Sequence, residues 1–176
     1  MDKNIQAIHI KNYRSIEDAS VENCGDLNVF IGKNNAGKSN LLSTIFLATN
    51  HLKTGQIVQP WTQPRGARLR DQFTDKETKR CLQIGITFAL PPDTNQLLRE
   101  DLRKNAPQLG TSIAMLDSAT TISFLIRAVM GTAGAFTYIE SIALGPIIKK
   151  NGRLDLSGSA LLKVSQSASE ELFAQY

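Results

Sequence analysis

Two cysteines, Cys24 and Cys81, and two histidines, His9 and His51, are all that the 176 residues hold of the side chains that build disulfide frameworks and soft-metal sites. Their scatter gives no metal-ligand spacing, so a disulfide scaffold and a zinc module are excluded, and all four read as packing or surface residues. Long apolar runs are missing too: none approaches the roughly 18 to 20 residues that a membrane-spanning helix needs. The polar start Met1-Asp2-Lys3-Asn4 has neither the basic region nor the apolar core of a signal peptide. The expectation is a cytoplasmic protein with no membrane partner. Internal repeats and low-complexity tracts are absent.

A strong excess of one charge is lacking as well. Lysine and arginine number 20 against 16 acids, a net +4 that neither demands nor excludes a nucleic-acid partner. Its position is more informative, because seven basic residues against three acids lie between 51 and 80 while the rest of the chain balances. With 41% apolar and 20% charged residues, the composition suits one compact domain with a core.

Alternation at Ile8, His9 and Ile10 predicts a strand over 5–10, and a second short strand is expected near Ser20 and Val21. After the turn signal Cys24-Gly25-Asp26, the nearly continuous apolar run 27–31 predicts a buried strand. A helix then starts at Lys38, with Leu41, Ile45, Ala48 and Leu52 on one face and Leu42 and Phe46 widening it. Residues 53–80 lose this period and gather Gly55, Pro60, Pro64 and Gly66, which predicts a long exposed basic loop. Leu82, Ile84, Ile86, Phe88 and Leu90 alternate with Gln83, Gly85 and Thr87 in a strand expected to be half buried. A helix over 94–105 with Leu97, Leu98 and Leu102 inward follows, then two alternating runs, 119–130 and 135–144, joined as a hairpin through 131–134. The basic turn 149–153 leads into a predicted final helix with Leu161, Val164, Ala168 and Leu172 on one face.

The stretch Gly32-Lys33-Asn34-Asn35-Ala36-Gly37-Lys38-Ser39 matches G-x-x-x-x-G-K-[ST] in full, between a predicted strand and a predicted helix. Its glycines let the backbone wrap close to an anion, with amide N–H groups and the positive helix end facing phosphates. Lys38 is expected on the β- and γ-phosphates and the Ser39 hydroxyl on Mg²⁺. A plain strand-to-helix turn requires neither both glycines at this spacing nor the Lys-Ser pair.

The segment Ile8-His9-Ile10-Lys11-Asn12-Tyr13-Arg14-Ser15-Ile16, together with residues 25–42 around that loop, closely resembles the amino-terminal part of the RecF, SMC and OLD-type group of ATP-binding-cassette ATPases. In that group an I-x-N-[FY]-R-S strand and turn precede G-x-N-x-[AS]-G-K-S-N-[LI]-L. The OLD-like ATPases, several of which serve in anti-phage defence, look nearest. The resemblance is specific over 5–48. It implies an α/β P-loop fold of the cassette-head type, with a mixed sheet around the nucleotide strand and an antiparallel sub-sheet over 81–144. It also implies ATP and Mg²⁺ as ligands, and contacts to base, ribose or phosphate from Asn12, Arg14 and Ser15, with Asn40 completing the loop's motif. Arg14 is the best of these, a permanent cation able to grip phosphate through two parallel hydrogen bonds. Tyr13 reads as a core aromatic.

Other parts of such a site are not found, and no catalytic residue is identified. Ile113-Ala114-Met115-Leu116-Asp117 imitates the Walker B pattern, but Ser118 stands where a glutamate belongs, and a turn aspartate explains it better. Leu156-Ser157-Gly158-Ser159 imitates a signature loop, although Ser157 fits equally well as a helix N-cap. The second half of the site is therefore expected from a longer protein or from a partner, with homodimerisation as one route. Gln59 and Gln63 compete for the glutamine that cassette ATPases keep near Mg²⁺. Arg65, Arg68 and Arg70, with Trp61 and Phe73 nearby, are candidates for DNA contact. Two other readings remain open: a self-sufficient kinase or GTPase using Asp117, and a nucleic-acid module dominated by the 53–80 loop.

Overall fold

The computed structural model describes residues 5–33, 37–54, 81–105, 114–130, 135–157 and 160–169. The expected basic loop falls almost wholly between 55 and 80, so Gln59, Gln63, Arg65, Arg68 and Arg70 lie outside the described residues.

The strands β1 (Ile5–Tyr13), β2 (Ile16–Glu22), β3 (Leu82–Ala89), β4 (Thr121–Met130), β5 (Ala135–Leu144) and β8 (Ala160–Ser169) form a six-stranded sheet in the order β2-β1-β3-β4-β5-β8. Every pairing in it is antiparallel. The sequence leads one to expect a mixed sheet, but among the described residues no strands pair in parallel. Helix α1 (Lys38–Thr54) belongs to one face of this sheet, and a separate hairpin, β6 (Ile147–Lys150) with β7 (Arg153–Leu156), covers the other.

The alternation of side chains dictates these layers. Ile10, Ile84 and Ile126 lie in one cross-strand row and Ile8, Ile86 and Phe124 in the next. All six are buried, and Leu41 and Ile45 of α1 pack against them. The opposite row runs His9, Gly85, Leu125, and there Leu125 clusters with Ile147 and Leu154 of the hairpin. Strand β3 is therefore buried on both faces, not on one: Gln83 accepts a 2.6 Å hydrogen bond at Oε1 from the Leu154 amide, and Thr87 bonds Ser123 at 2.8 Å. The hairpin turn explains itself locally, since Asn151 (φ 50) and Gly152 (φ 70) supply the two left-handed residues that a tight turn needs.

Gly85 allows the hairpin to dock. A Cβ there would lie 2.3 Å from Ile147 Cδ1 and 3.5 Å from Leu125 Cδ1, so Gly85→Val must push Ile147 outward. Overpacking of this kind costs about 1–3 kcal/mol. Thermal unfolding is expected to show it, with a smaller loss for Gly85→Ala because the Ile147 terminal methyl can rotate away.

Three sequence expectations are corrected. Residues 27–31 form no strand: Leu27, Val29 and Ile31 are 85%, 71% and 92% exposed, and no described strand pairs with them. The final helix is instead β8, whose residues 160–169 follow period two, with Lys163, Ser165, Ser167 and Ser169 alternating with Leu162, Val164, Gln166 and Ala168. The open edge of β5 pairs with a segment whose serines and valine are indifferent helix formers. In α2 (Pro92–Asn105), Leu98 packs inward as expected but Leu97 is 61% exposed. The inward anchor is Asn95, buried, whose amide donates to the carbonyls of Leu116 and Ala119.

The two decoys resolve structurally. Asp117 belongs to a short 3-10 helix, Met115–Ser118, at the end of the molecule where Leu90, Leu116 and Leu144 cluster, separate from the cluster that holds α1. Ser157 caps no helix; its hydroxyl donates to the Pro146 carbonyl at 2.7 Å and closes the β6–β7 hairpin.

Candidate nucleotide site

The two motifs that lie 20-odd residues apart in sequence meet at one point. Tyr13 pairs with Ile16 across the β1–β2 hairpin, so Arg14 and Ser15 form its tip. Arg14 has left-handed backbone (φ 50), uncommon for a non-glycine residue. Gly37 sits against this tip with φ 85: a Cβ on it would be 3.3 Å from Ile16 Cγ1 and 3.4 Å from Ser15 Oγ. The backbone angle favours glycine there, and a Cβ would in addition press on two side-chain atoms that must yield by a few tenths of an ångström.

Gly37 also begins the helix, since its carbonyl accepts the Leu41 amide at 2.9 Å. The N–H groups of residues 37–40 thus precede the intrahelical ladder, and the first turn of α1 carries no acidic residue to offset its positive end. Lys38 stretches its ammonium back across the loop, donating to the carbonyls of Gly32 (2.5 Å) and Lys33 (2.6 Å). One positive group therefore stands beside the amides that open the helix and have no intrahelical partner, the arrangement that favours phosphate. Gly32 and Lys33 are exposed, and Asn34, Asn35 and Ala36 lie outside the described residues.

Asn40 joins the motifs. Its amide nitrogen donates to Ser15 Oγ at 2.8 Å and its amide oxygen accepts from Arg14 Nη1 at 3.4 Å. The Arg14 guanidinium also stands 5.2 Å from the centre of the Tyr13 ring. Tyr13 is fully buried in the core, as expected, and burial pushes its phenol pKa up against the opposing pull of Arg14. Asn12 behaves otherwise than expected of a nucleotide contact: its side chain is buried and its amide donates to the Cys81 carbonyl at 2.9 Å, fastening the end of β1 to the start of β3.

An open cleft of about 510 Å³ runs from Gly37 and Lys38 along Ser15 to Asp18 and is closed on its far side by residues 29–31. Glu17 and Asp18 bring negative charge to it, but Asp18 faces two lysines. Its bond from Lys149 (2.8 Å) and the nearby Lys11 (3.7 Å) hold its carboxyl below the usual carboxylate range. Lys149 ties the β6–β7 hairpin to β2, so the hairpin and the motif turn share one strand.

Ser39 is exposed in the first turn of α1 and offers a hard oxygen donor. No group of three or more His, Cys, Asp or Glu that would cage a metal occurs among the described residues. A hydroxyl is a hard oxygen donor of the kind Mg²⁺ takes beside water and phosphate oxygens, and Ser39 is the residue that would offer it here.

Comparison with known proteins gives the family. The family described as "AAA ATPase domain" matches residues 4–167. An uncharacterized protein of Methanocaldococcus jannaschii is 49% identical over 43 residues, covering 24% of this chain and 20% of its own. An ATP/GTP phosphatase of Helicobacter pylori is 40% identical over 104 residues, 53% of this chain and 26% of its own. A DNA double-strand break repair Rad50 ATPase of Archaeoglobus fulgidus is 24% identical over 151 residues, 86% of this chain and 15% of its own. The chain thus spans about a quarter or less of these relatives.

Proposed function

The chain belongs to the AAA ATPase domain family, and from that premise we propose that it binds ATP with Mg²⁺ as the amino-terminal lobe of a RecF/OLD-type ATPase. The observation that carries this reading is the close approach of Gly37 to Ser15 and Ile16, where an added Cβ would press on both, and it supports taking the N-Y-R-S turn and the phosphate loop as one site. In it, Lys38 and the helix amides hold the phosphates, Ser39 holds the metal, and Arg14 adds a second cation from the turn. Bound Mg²⁺ neutralises phosphate charge and orients the triphosphate.

Catalysis belongs to the complete protein. Leu27, Val29, Ile31, Leu42 and Phe46 are all more than half exposed around the phosphate loop and α1, an amount of bare apolar surface that favours a covering lobe. In the complete protein, nucleotide draws two heads together and the assembly acts on DNA, with Arg65, Arg68 and Arg70 as candidate contacts. The similarity to a DNA double-strand break repair Rad50 ATPase supports that substrate class. Resemblance to the OLD-type ATPases extends the proposal to anti-phage defence in the cytoplasm. No helix among the described residues is long and apolar enough to cross a membrane.

Calorimetric titration tests the proposal directly. The 176-residue chain is expected to bind ATP in the presence of Mg²⁺ and much more weakly with EDTA, and to hydrolyse it slowly if at all. Metal-independent affinity would remove Mg²⁺ from the site. Robust turnover by this chain alone would show a complete catalytic set within it and overturn the two-lobe reading.

A further inference from the structure

We infer that Asn40 is a positioning residue, which holds the Arg14 guanidinium and the Ser15 hydroxyl of the β1–β2 turn against the phosphate loop and acts on the nucleotide only through them. This rests on the reading of Gly32 to Ser39 as an ATP site.

The two sides of the contact differ in rigidity. Asn40 is in the first turn of a 17-residue helix whose Leu41 is buried in the core, so its Cα is a fixed point. Arg14 and Ser15 are the two-residue tip of a hairpin, and Arg14 has an uncommon left-handed backbone. Such backbone persists where its surroundings hold it. The Asn40 side chain bonds this tip twice, as donor to Ser15 and as acceptor from Arg14, and its backbone carbonyl accepts the Thr44 hydroxyl at 2.8 Å. A single planar amide therefore sets the position of two turn residues at once. A charged side chain already held near its bound position loses less freedom when the ligand arrives, an advantage of about three- to tenfold in affinity. The Ser15 bond does the companion task of keeping the turn seated against Gly37.

A double-mutant cycle on MgATP affinity tests this, with thermal midpoints recorded for every variant. Asn40→Ala is expected to weaken binding about three- to tenfold and Arg14→Ala by about tenfold or more. The double variant is expected to bind like Arg14→Ala alone, because the advantage of Asn40 passes through the guanidinium. Ser15→Ala provides a second route: a loss of a few-fold in the parent and little in the Arg14→Ala background. Multiplying effects of Asn40→Ala and Arg14→Ala would mean that Asn40 touches the nucleotide independently and would overturn the inference. So would unchanged binding in Arg14→Ala, or an affinity loss in Asn40→Ala that merely follows a lowered thermal midpoint. If the parent and Lys38→Ala bind alike, the ATP-site reading itself fails, an outcome distinct from all of these.

Discussion

Lys38→Ala is expected to lower MgATP affinity by about 100-fold or more while leaving the fold intact. The ammonium donates to the carbonyls of Gly32 and Lys33, so it stands over the loop rather than reaching into solvent. Charge-assisted hydrogen bonds to phosphate contribute about 1.5–3 kcal/mol each, and Lys38 is placed to make more than one. Little stability depends on it: both carbonyls belong to an exposed stretch that water can serve, and exposed substitutions of this kind stay within about 0.5 kcal/mol. Calorimetry or displacement of a fluorescent ATP analogue measures the first effect and thermal unfolding the second. Equal affinity in the parent and the variant would mean that the loop does not hold phosphate.

Gly37→Val is expected to damage both folding and binding. The left-handed φ of 85 costs a residue with a Cβ about 1–2 kcal/mol. The added branch must also displace Ile16, whose Cγ1 would be 3.3 Å from the new Cβ, at about 1–3 kcal/mol. A lowered thermal midpoint and loss of detectable MgATP binding should appear together, since the same movement parts the Arg14–Ser15 turn from the loop. Gly37→Ala separates the two causes. It keeps the backbone strain but only grazes Ser15 and Ile16, so it should retain measurable binding. If alanine and valine prove equally harmful, the φ angle alone matters and the close approach of the two motifs does not.

How much of this was legible in the chain varies with the kind of signal. The phosphate loop was legible because its chemistry is local: two glycines, a lysine and a serine at fixed spacing specify a backbone shape and a charge without any distant partner. Strand β3 and the β4–β5 hairpin were legible because alternation over eight to ten residues has no helical reading. The segment 27–31 and β8 were misread for one reason. A strand exists only when another strand completes its hydrogen bonds, and neither the lack of a partner for 27–31 among the described residues nor the open edge of β5 is written in the segment itself. In 160–169, leucines and serines fit either period until β5 decides.

The site shows the same division. Arg14 and Ser15 came forward through family resemblance, and nothing in their own spacing ties them to Gly37. Asn12, drawn from the same motif, turns out to be buried on the Cys81 carbonyl, because the β1–β3 pairing brings that acceptor beside it.

The sequence by itself determined that this protein carries the phosphate-loop motif before a helix and belongs with the AAA ATPase domain family. A scarcity of cysteine and histidine and an absence of long apolar runs had already set aside a disulfide scaffold, a zinc module and a membrane-spanning helix. Tertiary structure decided which residues meet that loop. Antiparallel pairing of β1 with β2 and β3 carries the N-Y-R-S turn onto Gly37, and one amide on α1 fixes it there. Contacts between residues so far apart in sequence depend on how the sheet is ordered, which no local pattern encodes.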